Sequence, residues 1–177
     1  MRLPPDRKYE WVKKFIRSER GAVAVLVALV APILFGAAAF GIDASRLYLT
    51  KTKLQDAADA AAFGSAPKLP NEADVKRAAR IHAAESFYAE QREDEQNYIL
   101  KNDDITIGVW APGTDGCQLD GSGPGVNAVK VVTRRSEQND NPVELFFAPM
   151  LALVDGSQGN KYSDVAACAI AIKKGIN

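Results

Sequence analysis

The chain has 177 residues, 47% of them hydrophobic, and its 22 basic and 22 acidic side chains make it formally neutral. That length suits one domain with a modest core plus an appendage. Residues 1–20 hold seven of the basic groups against Asp6, Glu10 and Glu19, so the remainder is acidic by four charges, which argues against nucleic acid as a partner because phosphate binding needs a basic face.

From Ala22 to Ile42 no charged residue occurs, over a length that crosses a hydrocarbon core as a helix. Pro32 lies inside this run, where a transmembrane helix tolerates it better than an exposed one. The basic flank places residues 1–21 in the cytoplasm and everything after Asp43 outside, by the positive-inside rule. A cleavable signal peptide is the rival reading, with Ala37-Ala38-Ala39 as its cleavage-like site. Segment length and flanks favour a retained anchor over residues 22–42.

The helix is expected to continue outside the membrane over residues 43–66. This stretch is rich in Ala, Leu, Lys and Gln and meets no helix breaker before Gly64. Leu47, Leu54 and Ala61 recur at sevens, with Ala57 and Ala58 on the same face. This stripe of small and apolar residues is read as a face that docks on a partner helix. The blander alternative is that it lies on the chain's own exterior domain.

Residues 67–177 are expected to form that domain. Asn71 is placed to cap a helix over residues 72–94, whose Glu72 and Asp74 favour a helix start. Residues 103–110 alternate as a half-buried strand, and residues 126–133 and 164–172 read as two more. Residues 113–125 are loop; residues 142–153 suggest a strand or turn entering a short helix interrupted at Pro149. The expected fold class is α+β: a long N-terminal helix, then a small antiparallel sheet with a helix packed on it.

Candidate chemistry is sparse. His82 is the only histidine, so no Ser–His–Asp or Cys–His set can be assembled and an enzyme is not expected. No cofactor and no metal site is expected, because no ligand spacing is visible and the Asp120-Gly-Ser122-Gly stretch is what a turn needs. Cys117 and Cys168 would both lie in an oxidising compartment, which favours a disulfide over a buried free thiol at Cys168.

Residues 20–62 resemble the N-terminal segment of the TadE/TadG-like proteins of the tight-adherence (Flp) pilus. The likeness rests on Arg20-Gly21, Pro32, the Asp43, Arg46, Tyr48 turn of helix, and the Leu54-Gln55 to Ala57-Ala58-Asp59-Ala60-Ala61-Ala62 block. A weaker likeness covers the V-x-V strands, Phe146-Phe147-Ala148 and the closing strand. The resemblance implies a pilin-like or assembly component in the bacterial inner membrane, whose partners are other pilus subunits met through the N-terminal helix. An envelope protein with a ligand-binding or surface-sensing exterior domain is the alternative. Leu26 stands where processed pilins carry Glu, so the chain is expected to keep its basic N-terminus.

Overall fold

The computed structural model describes residues 19–87, 99–111, 116–121, 125–149 and 161–173. Most of the basic N-terminal segment and the part of the expected second helix beyond Phe87 lie outside these residues. The chain divides into two compact units, Met1–Ile42 and Asp43–Asn177.

The described part of the first unit is the N-terminal part of helix α1, Glu19–Ser65, which contains Pro32. Its large side chains are exposed, among them Leu29, Ile33, Leu34 and Phe35. A water-soluble helix hides such residues; one that meets lipid does not. The helix is long and apolar enough to cross a membrane.

The second unit is α+β. After α1 come a 3-10 turn at Ala66–Lys68 and helix α2 at Glu72–Phe87. Strands follow at β1 Ile105–Gly108, β2 Ala128–Arg135, β3 Val143–Glu144, β4 Tyr162–Ser163 and β5 Val165–Ile172. β1, β2 and β5 form an antiparallel sheet with β2 in the centre, and β3 pairs with β4. Asn71 caps α2 through Oδ1, which accepts from the amides of Ala73 and Asp74 at 3.2 and 3.4 Å. The strand entering residues 142–153 shrinks to Val143–Glu144, residues 148 and 149 are helical, and the rest of that stretch lies outside the described residues.

The core is built from small side chains. Leu54, Ala57, Ala58, Ala61 and Ala62 of α1 pack with Val129 and Val131 of β2 and Ala167, Ala169 and Ala171 of β5. Alanine on both sides lets the helix axis approach the sheet closely. Val75, Ala79 and Ala83 of α2 join the same cluster. This corrects the partner-docking reading of the alanine stripe: Leu54, Ala57, Ala58 and Ala61 have no exposed surface, because the chain's own sheet covers them. Leu47 is half-buried.

Polar bonds fix the same register. The buried Ser65 hydroxyl donates to the Ala61 carbonyl at 2.6 Å, and Gln55 Nε2 donates to the Cys168 carbonyl at 3.2 Å. Lys51 Nζ donates to the Ala166 carbonyl, so two α1 side chains bond along β5. Lys173 Nζ then reaches the Leu69 and Pro67 carbonyls at 2.7 and 3.3 Å, tying the end of β5 to the turn after α1. Asp104 pairs with Arg134 at 2.5 Å and also accepts from the Lys101 amide at 3.1 Å.

Cys117 and Cys168 are joined in a disulfide, with Cα atoms 6.2 Å apart and a sequence separation of 51. Cys168 alternates with the buried Ala167 and Ala169, so it points to the face away from the core. The bond therefore carries the β1–β2 connection past the central strand to β5.

Candidate functional site

The most specific arrangement in the second unit is built by the first turn of α1 after Ile42. Asp43 Oδ1 accepts from the Phe146 amide at 3.0 Å, and Oδ2 accepts from the amides of Phe147 and Ala148 at 3.0 and 2.8 Å. Consecutive amides that open a helical turn have no partners within that turn, and a carboxylate satisfies them from elsewhere. Asp43 is thus a cap supplied from 103 residues away. Its side chain is buried, which taken alone would raise its pKa. The three amide bonds, with the nearby Arg46 guanidinium, outweigh that and hold it below the ordinary value of 3.8.

Arg46 follows three residues later, on the same side of α1. Its guanidinium stacks over the Phe146 ring, 4.2 Å from the ring centre. Its Nη1 is buried with no hydrogen-bond partner among the described residues. Asp43 and Arg46 together grip the Phe146-Phe147-Ala148 segment, one through backbone amides and the other through the ring.

Beside this clamp lies a polar cleft of about 610 Å³ lined by Arg46, Arg135, Asp140, Glu144 and Tyr162, among others. Its charges are largely engaged internally. Arg135 donates to the carbonyls of Asn141 and Pro142 at 2.9 and 3.2 Å. Glu144 pairs with Lys161 at 2.8 Å, which lowers the pKa of the acid and raises that of the amine. No histidine or cysteine lines the cleft. Among the described residues no group of three or more His, Cys, Asp and Glu gathers to hold a metal. His82 faces Glu85 at 3.3 Å on α2.

The residues singled out in the sequence thus separate into three groups. Asp43 and Arg46 converge on one clamp. Gln55 and Asp59 form their own pair at 3.1 Å, and Gln55 also bonds β5. Tyr48 points away from the domain and is 73% exposed, while Gly21 and Pro32 belong to the first unit. Sequence reading missed the grip on residues 146–148. Its signal is a segment that starts a helical turn without a capping side chain of its own, together with an acid ending an apolar run.

Comparison with known families returns two matches. The TadE/G-like Flp pilus-assembly model matches residues 21–66. The Tad-like Flp pilus-assembly model matches residues 55–171. No curated protein and no solved structure matches the chain. The clamp joins the two matched stretches, since Asp43 and Arg46 lie in the first alone and Phe146 to Ala148 in the second alone.

Proposed function

Because this chain belongs to the Tad-like Flp pilus-assembly family, we propose that it is a membrane-anchored, pilin-like component of that machinery which works by helix packing against partner subunits. In this reading residues 1–21 lie in the cytoplasm and 22–42 span the bacterial inner membrane. Residues 43–66 extend the helix outward, and residues 67–177 complete the extracytoplasmic domain. The observation that carries it is the exposed apolar surface of Val23–Ile42. The alanine stripe beyond residue 50 is spent on the chain's own core, so the packing surface for partners is the slim part of α1 around Gly36 and Gly41, where an added β-carbon meets nothing within 4 Å. The role of the exterior domain is then structural, a task that needs no catalytic group.

Two measurements test this. A reporter active only outside the cytoplasm, fused after residue 177, is expected to be active, and one fused before Trp11 silent; the opposite pattern rejects the orientation. Gly36→Leu and Gly41→Leu are expected to leave abundance and protease resistance unchanged while reducing co-purification of pilus-assembly proteins and piliation. Normal co-purification and piliation for both rejects helix packing as the mode of action.

A further inference from the structure

The residues just past Ile42 carry an arrangement that a buried anchor alone does not require. Phe146 is 58% exposed although Asp43 fixes its amide and Arg46 lies against its ring. Tyr48 is 73% exposed and Leu49 59%. Five residues on from Asp43, Tyr48 lies roughly on the opposite side of the helix, whereas Leu49 flanks Arg46. Exposed apolar groups therefore surround α1 at one level.

That level is specific. Tyr48 and Leu49 stand about 9 and 10 Å of helix beyond Ile42. Phe146 is held nearer, within one turn, because its partners are Asp43 and Arg46. The polar layer of a bilayer adds about 5–8 Å on each side of the hydrocarbon, and helical side chains lean back over the turn N-terminal to their own Cα, so the side chains of Tyr48 and Leu49 reach down toward that layer from just above it. Aromatic side chains collect in that layer because their rings shed water while a polar edge stays wet. A guanidinium beside them meets lipid phosphate with good geometry. A docking site for one protein partner would sit on one side of the helix; groups on several sides at one depth match a flat lipid surface.

We propose that Phe146, Tyr48 and Leu49 form a collar seated in the headgroup layer of the membrane, with Arg46 placed to meet lipid phosphate. The proposal rests on the membrane-spanning reading of residues 22–42.

Spin labels on the full chain in phosphatidylcholine–phosphatidylglycerol vesicles test it. Phe146→Cys, Tyr48→Cys, Leu34→Cys and Thr106→Cys are labelled, with the native disulfide confirmed by mass. Collision rates with oxygen, which concentrates in lipid, and with a water-soluble nickel chelate are then compared. Leu34 is expected to be oxygen-rich and shielded from nickel, Thr106 the reverse, and Phe146 and Tyr48 between them at phosphate depth. If Leu34 reports lipid while Phe146 and Tyr48 are as nickel-accessible as Thr106, the collar is wrong and the anchor stands. Shielding of Phe146 and Tyr48 from both reagents also overturns it, since that marks a protein contact. Nickel access at Leu34 overturns the anchor and the collar together. Tyr48 is 73% exposed, so its variant keeps the test decisive if Phe146→Cys disturbs the clamp.

Discussion

Thr133 in β2 donates its hydroxyl hydrogen to the main-chain carbonyl of Leu54 in α1 at 2.8 Å, and both residues are fully buried. The bond crosses the helix–sheet interface at its centre, where alanines have brought the two backbones close. A helix carbonyl already engaged in its own ladder rarely finds a second donor unless a neighbouring element approaches this tightly.

Thr133→Val keeps the shape and removes that donor. The Leu54 carbonyl retains its helical bond, so the expected loss is about 1 kcal/mol, the usual net worth of one buried hydrogen bond. Denaturant unfolding of the detergent-solubilised chain measures it, as a lower midpoint with an unchanged slope. An unchanged midpoint would mean that the bond contributes nothing.

Enlarging the alanine stripe distinguishes a domain core from a docking face. Ala61 has no exposed surface, so Ala61→Leu is expected to cost about 1–3 kcal/mol through overpacking. Ala58→Lys is expected to be worse, because it places a charge where no water or counter-ion reaches. Both should appear as low abundance and rapid proteolysis of the exterior domain. Normal abundance with selective loss of partners would restore the docking reading.

The Asp43 clamp makes a pH prediction. Its folded pKa lies below 3.8, so its contribution is complete above that value and is lost as pH falls through the lower, folded one. Near neutral pH the clamp is therefore insensitive to pH. Hydrogen exchange at the Phe147 and Ala148 amides should be slow at neutral pH in the native chain. In Asp43→Ala these amides lose bonds to a charged acceptor, worth about 1.5–3 kcal/mol each, and should exchange at least tenfold faster. Equal protection in both proteins would show that the carboxylate does not hold the segment.

The disulfide closes a loop of about 50 residues. Replacing both Cys117 and Cys168 by serine is expected to cost about 4 kcal/mol in the chain-entropy account. Intact mass of protein isolated under thiol-trapping conditions should show no alkylated cysteine. Two trapped thiols would contradict the bond.

The local elements were legible in the sequence because their causes are local. Asn71 caps α2 with its own side chain, and Ile105 and Ile107 share one face of β1 by simple alternation. The alanine stripe was visible as a stripe, but spacing cannot tell whether the surface that covers it belongs to the same chain. The clamp was not legible as a contact, because Asp43 and Phe146 meet only through the tertiary fold. The two-residue strand Val143–Glu144 is too short to show any period, which left its neighbourhood ambiguous.

The bonds from Lys51 and Gln55 to β5 have a consequence for how copies of this chain can associate. β5 has β2 as its only strand neighbour among the described residues, so its other margin would ordinarily recruit an incoming strand from any partly folded chain nearby. Here the Ala166 and Cys168 carbonyls are already taken by an ammonium and an amide from the chain's own helix. In the crowded plane of a membrane, that leaves an incoming strand two acceptors fewer to pair with, which weakens fibre growth by strand addition.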